Sequence, residues 1–231
     1  MARHTPPHRF QELLAAATRV FIAQGYRRTQ MGDVAEAMGV AKGTVYLYVE
    51  SKQALFDAVL RHADRPLPIA APAELPLRTP RPEATLAEVE RRLAEDAALP
   101  ALGAALARAR VTDVRAELQS VLGELYDLLA AHRTGIKLLD RCALDYPDLA
   151  KAWYGAGREG AVSLLTRYLE DRTRRGRFRP FDDGAVAARI VLETLVFWAV
   201  HRHWDPSPQP VAEASARRTA LEFLTRALVK E

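Results

Sequence analysis

Six of the chain's fourteen prolines, Pro66, Pro68, Pro72, Pro76, Pro80 and Pro82, fall within one short stretch. Each lacks a backbone donor and fixes φ, so the stretch from Asp64 to Pro82 is no helix interior. It predicts a semi-rigid linker between an N-terminal part, residues 1–63, and a C-terminal part, residues 83–231. On both sides of it apolar residues recur at helical rather than strand spacing, and hairpin signals such as Asn-Gly are missing, because the chain contains no Asn. The expected fold class is all-α.

A chain of 231 residues with 49% hydrophobic content has enough apolar surface for a real core, which argues against disorder. Its single thiol, Cys142, makes neither an intrachain disulfide nor a Cys-based zinc site, and a buried small hydrophobe in a reducing compartment is the simplest reading. The N-terminal MARHTPPHRF holds no apolar signal core, and the densest apolar run, Leu195 to Val200, is far shorter than the roughly 20 residues that span a bilayer. The expectation is a cytoplasmic protein with no membrane partner. Charge is placed unevenly: residues 1–63 hold eight Lys and Arg against five Asp and Glu, net +3 of the chain's +4. An anionic partner is therefore sought in the N-terminal part.

There a first helix from about His8 to Ala23 sets Phe10, Leu13, Ala17, Val20 and Phe21 on one face, and Gly25 ends it. Thr29 is placed to cap a short second helix carrying Met31, Val34, Ala35 and Met38 inward, with Gly39 just beyond its end. Val40 and Ala41 turn into a third helix, Lys42 to about Val49, and Ser51 caps a fourth with Leu55, Phe56, Val59 and Leu60 as its apolar face. Two short helices joined by a tight turn have the outline of a helix-turn-helix. The residues opening the third helix, Lys42, Gly43 and Thr44, are small or able to donate hydrogen bonds, as a helix end approaching base edges requires. Thr29, Tyr46, Tyr48, Ser51 and Lys52 are placed to reach phosphates. Of the two tyrosines Tyr48 is expected to be the more exposed, with a half-buried core role open for either.

The run from Gln11 to Ala63, above all TQMGDVAEAMGVAKGTVYLYVESKQALFDAVL from Thr29 to Leu60, resembles the DNA-binding domain of the TetR family of transcriptional regulators. Its most specific parts are GVAKGTVY, Gly39 to Tyr46, and SKQAL, Ser51 to Leu55. The resemblance implies phosphate contacts by Thr29 and Lys52, a major-groove position for Lys42, Gly43 and Thr44, and packing of Tyr46 and Tyr48 beside the backbone. It further implies an N-terminal three-helix DNA-binding domain, a C-terminal helical domain that binds a small effector and dimerises, and no cofactor. Two departures are Ala41, where the family often has a Ser cap, and Val49, where it often has Phe.

In the C-terminal part, helices are expected from about Leu86 to Ala97, after Pro100, from Asp113 to Ala131, from Thr134 to Asp145, and from Asp148 to Arg175, ended by Gly176. Two more follow, Asp182 to Trp204 and Ala212 to Lys230. The first of these is apolar nearly all round, so pairing with its copy in a four-helix arrangement is expected, through Ile190, Leu195, Leu221, Leu224 and Leu228. Tyr126, Cys142, Tyr146, Trp153, Tyr154, Phe197, Trp198 and His201 are candidate lining residues of an apolar effector pocket, with an ordinary core role as the alternative. A palindromic double-stranded operator follows from a homodimer whose two reading helices stand about 34–36 Å apart.

Other signals are weaker. Gly155 to Gly160 spells G-x-G-x-x-G without the βαβ context that gives it meaning. His201, His203 and Asp205 suggest metal ligands, but residues two apart face opposite sides of a helix. The run Arg172, Arg174, Arg175, Arg177 and Arg179 is explained by helix-dipole complementarity and solvation. No nucleophile with a base and an orienter stands out, so the expectation is a DNA-binding repressor and not an enzyme, with a helical adaptor or an enzyme working without DNA as the competing readings.

Overall fold

Glycine punctuation decides where the first helices stop. Helix α1, Pro7–Gln24, ends where Gly25 takes φ +82° and its N–H donates to the Phe21 carbonyl at 2.8 Å. Helix α2, Met31–Ala37, is followed by Gly39 at φ +66°, the left-handed conformation that only glycine adopts cheaply. In this computed structural model, which describes residues 7–96, 99–208 and 210–230, α3 is Lys42–Val45 and α4 is Lys52–His62. Then come α5, Pro82–Asp96, α6, Pro100–Ala107, α7, Val114–Ala131, α8, Arg133–Cys142, and α9, Pro147–Ala150. A π-helical run, Lys151–Glu159, leads into α10, Gly160–Arg174, and α11, Gly184–Ala199, and α12, Glu213–Leu228, complete the series. No strand forms among the described residues, where the only strand-like pairings are two isolated bridges, Val49 with Leu77 and Phe178 with Val229.

Three elements differ from the sequence expectation. The third helix is one turn long, because Leu47 and Tyr48 donate to the carbonyls three residues back and tighten the chain. Helix α11 stops at Ala199 and not at Trp204: the Arg202 guanidinium takes the Trp198 carbonyl at 2.7 Å, and His201–Trp204 form a 3₁₀ turn. The segment from Asp148 to Arg175 is divided into α9, the π-helical run and α10. Ala97, the expected end of the fifth helix, lies outside the described residues.

The chain packs as two compact units that do not follow its linear order. The first holds residues up to Arg91 together with Thr134–Trp153, and the second Arg92–Arg133 together with Tyr154 onward. The proline-rich segment and α8 thus belong with the N-terminal helices, where a linker and a separate C-terminal domain were expected.

In the first unit α1 packs on α2 and α4, and Phe10, Leu13, Ala17 and Phe21 meet Val34, Val45, Leu55 and Phe56 in a fully buried core. Asp64, at φ +62°, caps the start of α8 by accepting from Thr134 N at 2.8 Å and Gly135 N at 2.7 Å. In the second unit α11 lies against α7, α10 and α12. Its most buried polar element is Arg172, with 0% of its surface exposed, which donates to Glu117 at 2.8 Å and to the Ala105 carbonyl at 2.5 Å. The basic run at 172–179 is therefore not solvated throughout; its first member ties α6, α7 and α10 together. No helix among the described residues is long and apolar enough to cross a membrane.

Candidate nucleic-acid interface

Residues 45, 48 and 49 share one side of the tightened third helix, so Val45, Tyr48 and Val49 turn into the core with 0%, 3% and 0% exposure. The opposite side carries Lys42 and Gly43, both exposed, a half-buried Thr44, Tyr46 at 41% exposure and Leu47 at 55%. Nothing lies within 4 Å of the place a Gly43 Cβ would occupy, so that backbone is open to close approach. This surface has the chemistry of a reader: an ammonium, a hydroxyl and a phenol over bare backbone, with an apolar Leu47 suited to a thymine methyl. The two tyrosines take the reverse of their expected places. The spacing i, i+3, i+4 from Val45 already marks Tyr48 as inward, and burial pushes its phenol pKa up while the Arg9 guanidinium pulls it down.

Thr29 and Lys52 are spent on holding the domain together. Thr29 is buried, and its hydroxyl donates to the Gly25 carbonyl at 2.7 Å. The residue that caps α2 is Gln30, one position later, whose N–H donates to the Asp33 carboxylate at 2.8 Å. The Lys52 ammonium donates to the carbonyls of Tyr26 at 3.0 Å, Arg27 at 3.3 Å and Thr29 at 2.9 Å, and stands 4.5 Å above the Tyr26 ring. All three of its donors are used. Ser51 does cap α4, accepting from Ala54 N at 3.1 Å, and its hydroxyl also bonds the Thr79 hydroxyl at 2.7 Å. Arg28 and Gln30 stand exposed at the approach to α2.

The eight candidate pocket residues fall in both units. Cys142, Tyr146 and Trp153 belong to the first. The Tyr146 ring lies 4.5 Å from Tyr26 and 5.7 Å from Phe56, and the buried Cys142 thiol, pushed up to about 12 by burial, donates to the Phe21 carbonyl at 3.7 Å. Trp153 donates to Asp140 at 2.8 Å. These three brace the helices of the N-terminal domain. Tyr126, Tyr154, Phe197, Trp198 and His201 belong to the second unit. There Tyr126 is 1% exposed and donates to Glu213 at 3.0 Å, and Phe197 meets Trp198 edge to face at 5.4 Å. A cavity of about 480 Å³ in this unit, between α7 and α12, is lined by Arg115, Gln119, Arg217, Arg218 and Arg226 among others, and none of the eight borders it.

Of the five candidate interface residues, Leu195, Leu221, Leu224 and Leu228 are buried within their own unit, at 0%, 8%, 3% and 4% exposure, and only Ile190 stands out at 59%. The exposed apolar side of α11 and α12 is instead Val186, Ile190, Phe197 and Phe223. His203 lies 3.4 Å from Glu213, and no cluster of three or more metal-ligating side chains occurs among the described residues.

Residues 13–59 match the family model of bacterial regulatory proteins, tetR family. The HTH-type transcriptional repressor KstR2 of Rhodococcus jostii is 38% identical over 50 residues, 22% of this chain and 24% of that protein. The HTH-type transcriptional activator FasR of Mycolicibacterium smegmatis is 43% identical over 54 residues, 23% of this chain and 25% of that protein. The chain thus spans about a quarter of the length of the curated relatives it matches. The solved structure of ketosteroid transcriptional regulator KstR2 of Mycobacterium tuberculosis, 18% identical, covers 96% of both chains with a TM-score of 0.54, a likeness of fold.

Proposed function

We propose that this chain, whose residues 13–59 are a TetR-family DNA-binding domain, is a sequence-specific regulator of transcription that binds a palindromic operator as a homodimer. The observation that carries the reading is the outward side of the third helix, where Lys42, Gly43, Thr44 and Tyr46 stand together over a fully buried Val45 and Val49. The exposed apolar side chains Val186, Ile190 and Phe197, on one face of α11, support the dimer, since an exposed apolar patch marks a contact surface. The direction of control is repression, relieved when a small, mostly apolar ligand bound in the second unit favours a conformer with the wrong spacing of reading helices.

The test begins with duplexes that the protein itself selects from a random pool. Lys42→Ala and Thr44→Ala are each expected to weaken binding to a selected duplex by about 1–3 kcal/mol while leaving binding to unselected DNA nearly unchanged. Gel retardation that both variants leave undiminished on the selected duplex overturns the assignment. Footprinting of a palindrome, with sedimentation to count protomers, checks the homodimer.

A further inference from the structure

The proline-rich segment is fastened along the reading domain. The Leu77 N–H donates to the Tyr48 carbonyl at 2.8 Å and the Glu50 N–H donates to the Leu77 carbonyl at 2.9 Å, which fixes the segment in parallel register beside the exit of the third helix. Thr79 adds two bonds, from its N–H to the Glu50 carboxylate at 3.0 Å and between its hydroxyl and that of Ser51 at 2.7 Å. Upstream, the Ile69 N–H donates to the Gln11 side chain of α1 at 3.1 Å; downstream, the Thr85 hydroxyl donates to Asp57 of α4 at 2.9 Å. A segment with few backbone donors thus spends three of them on two places in the first unit, α1 and the Tyr48–Glu50 stretch.

This strap presents Arg78, between the two anchored residues Leu77 and Thr79, and Arg81 three positions on. Both are exposed, and neither forms an ion pair among the described residues. Two cations close to the strap's downstream end are neutralised: Arg61 pairs with Asp57 at 2.6 Å and with Glu88 at 3.5 Å, and Arg91 pairs with Glu88 at 2.8 Å. Guanidinium groups without an ion pair, Arg78 between anchors that bond Tyr48, Glu50 and Ser51 and Arg81 just downstream, suit the singly charged phosphates of a duplex backbone.

We infer that the strap extends the DNA-binding surface, with Arg78 and Arg81 as contacts to backbone phosphates flanking those of the reading helix; this rests on the reading of the first unit as a DNA-binding domain. Such contacts carry no sequence information and fix position and register. Because the strap is already docked, little ordering entropy opposes binding.

A labelled random-sequence duplex of about three helical turns is the probe, since phosphate contacts are indifferent to sequence. Its affinity for the full chain is followed by anisotropy over a salt series. The double variant Arg78→Gln with Arg81→Gln is expected to flatten the log–log salt dependence by about 0.9 per contact, close to two units in all, while Arg78→Lys with Arg81→Lys keeps the slope. The thermal midpoint should be unchanged in both. An unchanged slope in the Gln pair overturns the inference, as does tighter binding, which would make the strap a cover over the surface. If the Gln pair leaves the slope unchanged while Lys42→Ala still weakens binding to a selected duplex, the strap alone is wrong. A parent chain that binds no duplex at low salt overturns both.

Discussion

In the first unit Lys42 of the third helix and Arg78 and Arg81 of the proline-rich segment stand exposed. In the second unit Arg172 is wholly buried among Glu117, Asp171 and the Ala105 carbonyl, with Tyr168 bonded to the same Glu117 at 3.3 Å. A similar knot ties Tyr126, Arg133, Arg202 and His203 to Glu213. The same residue types do opposite work in the two places. A surface proposed to exchange water and counterions for a polyanion keeps these cations unpaired, whereas a helical scaffold uses them to fix which helix lies against which.

The scaffold side of this contrast is where the largest effect is expected. Glu117→Ala leaves the buried Arg172 with Asp171 as its one remaining carboxylate, at a cost of up to about 3–5 kcal/mol in urea denaturation. Replacing both partners, Glu117→Leu with Arg172→Met, should cost clearly less, because no charge is then left stranded in the interior. If the single and double variants lose the same stability, the network is no more than packing and the contrast between the units collapses.

Lys52 tests whether the boundary between the two uses of charge is drawn in the right place. It sits in the first unit, and the resemblance assigns it to a phosphate, yet its ammonium is held by three carbonyls of the loop between α1 and α2. Lys52→Ala should therefore cost about 1–3 kcal/mol in stability, as for hydrogen bonds to a charged group. The salt dependence of DNA binding by the folded variant should stay the same. A slope lowered by about 0.9 with no loss of stability would return Lys52 to the DNA.

How legible each region was follows from how far apart its determinants lie. The helix-turn-helix is written locally: Gly25 and Gly39 mark ends, Ser51 marks a start, and Phe10, Leu13, Val34 and Leu55 mark one buried side. The places of Tyr46 and Tyr48 were readable too, had the period been counted from Val45. The strap was not, because prolines announce only what a segment cannot be, and its docking depends on the N–H groups of residues 69, 77 and 79 finding partners 25 or more positions away. Arg172 looks like its exposed neighbours in the run, and its partner Glu117 lies 55 residues off. The leucines of α12 were read as an interface for the same reason: helical period shows that a face is apolar, not what covers it. Here α7 and α11 cover it, leaving Phe223 outside.

The smallest effect is expected at Tyr46, where reading surface and scaffold meet within three residues. Its phenol is 41% exposed with the apolar Leu47 beside it, while Tyr48 is almost wholly enclosed, so the two rings have no duty in common. Tyr46→Ala removes an exposed side chain that supports no buried neighbour, and stability should stay within about 0.5 kcal/mol of the parent. Loss of one phenol-to-phosphate hydrogen bond should weaken binding by about 1 kcal/mol, about fivefold, on selected and random duplexes alike. On the proposed phenol-to-phosphate contact, Tyr46→Phe should lose nearly all of that affinity. If instead Tyr46→Phe binds like the parent and Tyr46→Ala does not, the ring packs against sugar or base and the contact is apolar. If Tyr46→Ala unfolds the domain, the outward side of the third helix belongs to the scaffold after all.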